Sequence, residues 1–287
     1  MLGILILDKP TGVTSHDVVQ TVRRRFGTRR VGHAGTLAPL ATGVLVAAVG
    51  PATRFLQYLP LEPKKYRVKA VFGATTPTYD RESAPESGGP LPVDLQAALE
   101  DAIPDFEGAI EQLPPLYSAV KRAGRPLYEY ARKGEVVERP SRRVFIESLV
   151  LKEVGATIAE LDIVCSGGTY VRSIVHDLGQ ALGCGAYVEE IQRTAVGRYG
   201  LPDAVSLDQA GPESMLPLAE ALEPMPSASL NDGQVERIRH GQFVLDPGAA
   251  EGPFVALLDP GGTLVGVSRR EGNQLLPECV IPVMGVD

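Results

Sequence analysis

The chain has 287 residues, 44% hydrophobic and 22% charged, with a net charge of −7 at pH 7. That length fits one large domain with a small companion, and the composition is that of a globular protein rather than a disordered or repetitive one. Cys165, Cys184 and Cys279 are odd in number and far apart, with no C-x-x-C pair and no histidine at ligand spacing. This argues against a disulfide framework or zinc site and fits a reducing compartment.

The charge is unevenly spread. Residues 1–200 hold 24 Lys and Arg against 22 Asp and Glu, whereas residues 201–287 hold 4 against 13. Of the basic residues in the first part 17 are Arg, the side chain suited to bidentate phosphate contact. No acidic residue lies between Asp17 and Glu62, a span that carries Arg23, Arg24, Arg25, Arg29, Arg30 and Arg54. An acid-free, arginine-rich span points to a polyanionic partner.

In chain order, residues 3–7 predict a short apolar strand with no basic segment before it, so no secretory leader is read. Thr14 or Ser15 caps a helix whose apolar face is Val18, Val19, Val22 and Phe26, and Gly27 stops it. Arg23, Arg24 and Arg25 fall in its last turn, where the helix dipole alone accounts for cations. Ser15, His16 and Asp17 are the residue types of a hydrolase triad. Adjacent residues on a helix point in different directions, so they form no relay. Residues 31–53 are uncharged, but their four Gly, two Pro, three Thr and one His exclude a lipid-facing helix. The expected location is the cytoplasm, with no membrane contact.

Residues 31–46, VGHAGTLAPLATGVLV, are small and glycine-rich, a composition suited to close approach by a ligand or another chain. Val44–Val49 reads as a strand and Ala52–Leu59 as a short helix. Residues 66–72 alternate, with Tyr66, Val68, Ala70 and Phe72 on one face. A loop covers 84–92, and a helix follows near 93–102. Val144–Val154 and Ala156–Cys165 predict two strands joined at Gly155. Ser166–Arg172 leads into a helix with Val171, Ile174, Val175, Leu178 and Leu182 as its stripe. Arg172 sits in the first turn, where the dipole opposes a cation and a carboxylate partner is wanted. Residues 186–194 read as a further helix. Residues 201–230 are proline-rich and irregular, which sets the domains at 1–226 and 227–287. The runs 254–258 and 263–267 read as strands around a Pro-Gly-Gly turn.

The stretch from Gly32 to Leu45 resembles the G-H-x-G-T-L-D-P-x-A-x-G-V-L motif of the TruB family of tRNA pseudouridine synthases. It matches at every position but one: Ala38 stands where the family carries its catalytic aspartate. Residues 75–80 resemble the family's T-x-T-x-D segment, for whose Asp80 a structural role is expected. Residues 112–121 and 124–134 resemble two further family segments nearly word for word.

The resemblance implies an α+β fold with a large mixed, mostly antiparallel sheet and a small C-terminal PUA-like β-barrel. It implies isomerisation of uridine 55 in the TΨC stem-loop of tRNA by a monomeric protein, without metal or cofactor. The N1–C1′ bond breaks, the uracil turns, and C5 bonds to C1′. A carboxylate at position 38 would be nucleophile or base, held by Arg172, with Tyr66 stacking on the base. His33 would fill the place of the flipped uridine, and Tyr170 and Ile191 would close the pocket. Lys121, Arg125, Arg132, Arg29 and Arg30 would contact the RNA backbone. A methyl group can neither attack nor accept a proton, so this chain is expected to bind tRNA without converting it. The alternative is a non-catalytic tRNA-binding or tRNA-folding module.

Overall fold

The computed structural model describes residues 1–282 except positions 119, 136, 247, 249 and 250. The chain runs β1 (Gly3–Lys9), α1 (Ser15–Arg25), β2 (Val31–Ala34), β3 (Thr42–Val49), a 3-10 segment Gly50–Tyr58, β4 (Lys64–Phe72), the short strands β5 (Ala74–Thr75) and β6 (Glu86–Ser87), and α2 (Leu95–Ala102). There follow β7 (Gly108–Gln112), the hairpin β8 (Lys121–Arg122) and β9 (Arg125–Pro126), α3 (Leu127–Arg132), β10 (Arg142–Val154), β11 (Ile158–Cys165), α4 (Val171–Ala181) and β12 (Ala186–Val196). The last part holds β13 (Tyr199–Gly200), β14 (Val205–Ser206), α5 (Leu218–Ala221), β15 (Ser227–Ser229), α6 (Asp232–Arg239), β16 (Val244–Leu245), β17 (Phe254–Leu258), β18 (Leu264–Glu271) and β19 (Gln274–Val280).

The main sheet has the order β14-β1-β3-β12-β4-β11-β10-β7, with β2 on β3 and β13 on β12. Only the β1–β14 and β3–β12 pairs are parallel, so the sheet is mixed and mostly antiparallel. One side of β3 changes partner along its length. β2 pairs with it as far as Ala34↔Val46, and β12 takes over at Thr42↔Gln192. The loop 35–41 leaves the sheet where that change occurs, next to its central strands.

The α1 helix starts with a capping box, in which Thr14 and Asp17 satisfy each other's backbone amides. It packs Val18, Val19 and Val22 into the core that also takes Tyr66, Val68 and Ile191 from the sheet and Val171, Ile174 and Val175 from α4. No side chain caps α4 from its own N-cap residue, Tyr170. Instead Gln112 of β7 accepts from the Tyr170 amide at 2.7 Å and donates to its carbonyl at 3.1 Å. The second sheet, β15-β17-β18-β19-β16, is the PUA-like part. Ala256, Leu264, Val267 and Cys279 from it join Ile4, Ile6, Val44 and Val46 in one apolar cluster against the main sheet.

The helix expected over 186–194 is the strand β12. Its pairing with β4 slips between Val188 and Glu190 and again between Arg193 and Ala195. Each bulge adds a residue and shifts the parity of the buried face. The buried positions therefore fall at 186, 188, 191, 193 and 196, a spacing with the three-residue steps of a helix.

Candidate active site and RNA face

Six hydrogen bonds fix the loop 35–41 to the body of the protein, on both sides of position 38. Arg193 donates from Nη2 to the Gly35 carbonyl at 2.9 Å. Ser15 Oγ accepts from the Leu37 amide at 2.9 Å and donates to the Leu37 carbonyl at 3.3 Å. The Pro39 carbonyl accepts from Lys9 Nζ at 3.2 Å and from the Gly12 amide at 2.8 Å. Thr11 Oγ1 donates to the Leu40 carbonyl at 3.2 Å. Ser15 and Lys9 are buried, so these bonds form away from competing water. Between the anchors Ala38 is half-buried and packs on the core that includes Tyr66 and Ile191.

The surroundings of this loop are cationic. Arg193 is 1% exposed, and its Nε donates to the Val44 carbonyl at 2.7 Å. It is paired in register with Tyr66 across β12 and β4. Burial lowers the pKa of Arg193, an effect the Tyr66 hydroxyl opposes. Burial likewise brings Lys9 down to about 8, with Glu82 opposing and Arg193 adding to the shift. Lys64 and His33 are shifted down by burial first and by Arg193 second. The ion pairs among the described residues include none of Lys9, Lys64 and Arg193. Beside the loop runs a groove of about 690 Å³ whose lining includes Thr11, Leu40, Thr42, Lys69, Arg81 and Ile191.

Arg172 finds its carboxylate at Asp80 rather than toward position 38. Its Nη1 donates to Asp80 Oδ2 at 2.6 Å and to the Thr78 carbonyl at 3.0 Å, and its Nη2 donates to the Tyr117 carbonyl at 2.9 Å. Asp80 is fully buried and also accepts from Thr78 Oγ1 at 2.7 Å and from the Glu82 amide at 3.0 Å. Between these residues Tyr79 has a φ of 62°. Its ring stacks on His176 at 3.7 Å, and its hydroxyl accepts from Arg139 at 3.2 Å.

The structure thus gathers His33, Lys64, Tyr66 and Arg193 about one loop and gives Arg172 a separate, complete set of partners. The sequence had not singled out Ser15, Lys9 or Arg193 for these roles. A lysine directly before a proline turn and an arginine in a strand of mixed polar and apolar residues carry no periodic signal of their own. Among the described residues no group of three or more His, Cys, Asp or Glu is placed to hold a metal, and no helix is long and apolar enough to cross a membrane.

A family model for the N-terminal domain of the TruB family pseudouridylate synthases matches residues 23–171. A model for the C-terminal domain of tRNA pseudouridylate synthase B matches residues 172–227, and one for the C-terminal part of pseudouridine synthase II TruB matches 226–281. The tRNA pseudouridine synthase B of Syntrophotalea carbinolica is 44% identical over 92% of this chain and 90% of its own. This chain belongs to the TruB family of tRNA pseudouridine synthases. The enzyme of the same name from Pseudomonas putida is 40% identical over 97% of this chain and 95% of its own. Among solved structures, a Cbf5-Nop10-Gar1 complex matches with a TM-score of 0.71 at 26% identity, covering 97% of this chain and 84% of that one.

The basic residues expected on the RNA face of a TruB protein divide into two groups. Arg29, Arg30, Lys121 and Arg132 are exposed. Arg125 is engaged within its own segment: it lies 3.7 Å from Glu129, 3.6 Å from Glu135 and 4.3 Å from the Tyr130 ring centre. Tyr66 is 7% exposed and Ile191 9% exposed, so the base pocket expected between them is closed in this conformation. Tyr170 is half-buried beneath Arg142, whose guanidinium lies 5.3 Å from the ring centre.

Proposed function

We propose that this TruB-family chain docks the TΨC stem-loop of tRNA, flips uridine 55 toward the loop 35–41, and does not isomerise it. The observation that carries this reading is the loop itself, anchored on both sides of position 38 while the residue between the anchors is alanine. A pseudouridine synthase of this family needs a carboxylate there, and a methyl group supplies neither a nucleophile nor a base. The docking function does not depend on that carboxylate. It draws on the exposed Arg29, Arg30, Lys121 and Arg132, on the small-residue loop, and on His33 for the place of the flipped base. Stacking of the uracil on Tyr66 contributes about 1–3 kcal/mol once the pocket opens.

Arg172 favours binding without chemistry as the working state of the chain as it stands. With Asp80 as its partner, the absence of a carboxylate at position 38 leaves no orphaned charge there. The cytoplasm, where tRNA resides, is the location this reading requires. Filter binding of a TΨC stem-loop tests it. The expected result is retained affinity whose logarithm falls linearly with the logarithm of the salt concentration. Absent or salt-independent binding would overturn it.

A further inference from the structure

Gly35 has a φ of 74° and is exposed, so the loop presents bare backbone at this point. A side chain at this position would begin 3.2 Å from Arg193 Nη1 and 3.7 Å from Lys64 Nζ. It would cover both cations. Without it, an approaching group meets the two together over the α-carbon. Arg193 is held rigidly in this pose, because its Nε and Nη2 are committed to the Val44 and Gly35 carbonyls. Its Nη1 lies on the Cβ side of Gly35, in a side chain that is 1% exposed.

Among the described residues no carboxylate forms an ion pair with Arg193 or Lys64. Glu62 draws the Lys64 pKa up, by less than burial and Arg193 push it down, and its Oε1 accepts from the Gly167 amide at 3.0 Å without an ion pair to the lysine. The pKa values of Lys64 and His33, each lowered by burial first and then by Arg193, agree with both groups lying near that guanidinium. A planar guanidinium and an ammonium converging over a glycine fit a tetrahedral oxyanion that comes in close to the backbone.

We propose that Arg193 and Lys64, over the bare face of Gly35, form a site for a single phosphodiester of the bound RNA strand. This rests on the tRNA-docking reading above and adds a defined contact to it. The loop 35–41 would then be a strand-gripping element as well as the bearer of position 38, with Gly35 required for the approach. Arg193 is the fixed half of the clamp and Lys64 the adjustable half.

The test combines Lys64→Met with RNA in which one phosphate at a time, around the target uridine, is replaced by a neutral methylphosphonate. Binding is measured for the intact chain. One substitution should weaken binding to the unaltered protein about ten- to a hundredfold, the range for a hydrogen bond to a charged group. Lys64→Met should weaken binding to unmodified RNA similarly, lower the salt slope by about 1, and lose clearly less than the unaltered protein to that same methylphosphonate, because only Arg193 is left on the phosphate. Lys64→Arg should retain most of the affinity. If the unaltered chain binds the stem-loop but no single methylphosphonate has this effect, or if the two losses multiply, the phosphate site is wrong and the docking reading stands. If the unaltered chain does not bind the stem-loop, both fall. The RNA arm uses unmutated protein, so a misfolded variant cannot decide the outcome.

Discussion

Arg172 and Asp80 form a 2.6 Å ion pair in which the carboxylate is fully buried and the arginine side chain is 11% exposed. The pair ties the first turn of α4 to the segment after β5, and two backbone carbonyls complete the guanidinium's partners. Removing one member of a buried pair strands the other, at a cost of about 3–5 kcal/mol. Asp80→Ala should therefore lower stability to urea by that amount. The double variant Asp80→Leu, Arg172→Met should recover much of the loss. A loss under about 1 kcal/mol in the single variant would contradict the role given to the pair.

Ser15 makes both of its hydrogen bonds to Leu37, the residue before position 38. Ser15→Ala leaves the Leu37 amide without its partner in a buried setting, at an expected cost of about 1–3 kcal/mol. The helix start itself should survive, because Thr14 rather than Ser15 is the cap. Hydrogen exchange should show the Leu37 amide losing protection while α1 keeps it. Equal loss along α1 would mean that Ser15 supports the helix rather than the loop.

Asp177 on α4 is raised to a pKa of about 6, because burial outweighs the attraction of Arg139. A carboxyl whose folded pKa lies above its unfolded value holds its proton longer in the folded state. The folded state is therefore penalised as pH rises from about 4 through 6, and stability declines over that window. Asp177→Asn removes this contribution. The variant should gain about 1–3 kcal/mol relative to the parent at pH 7 and show little difference at pH 4. Chemical unfolding at the two pH values measures it, and an equal effect at both would refute it. The neighbouring His176, lowered chiefly by burial, works the other way and costs stability as pH falls below its unfolded value.

Much of the architecture is legible in the residues because local rules and tertiary packing agree there. The α1 cap and its Gly27 stop, the alternation of β4, and the apolar stripe of α4 each point to the element that forms. The helix read over 186–194, which is the strand β12, fails for a definable reason: two bulges break its alternation. The loop 35–41 is legible as a binding element from its small residues and acid-free surroundings. Its anchors are not, because Lys9, Ser15 and Arg193 reach it from distant parts of the chain and act on backbone carbonyls and amides, which have no sequence signature. The partner of Arg172 is a related case. The need for a carboxylate follows from its place in the first turn of α4, but only the fold brings Asp80 to it.

Position 38 decides between docking and conversion, and pseudouridine formation in a TΨC stem-loop by this chain and by its Ala38→Asp variant measures that directly. The prediction is no detectable conversion by the chain as it stands. Ala38→Asp should raise the rate by several orders of magnitude, the usual span for an essential nucleophile, with RNA affinity changed little. Conversion at a comparable rate by both proteins, or by neither, would contradict it.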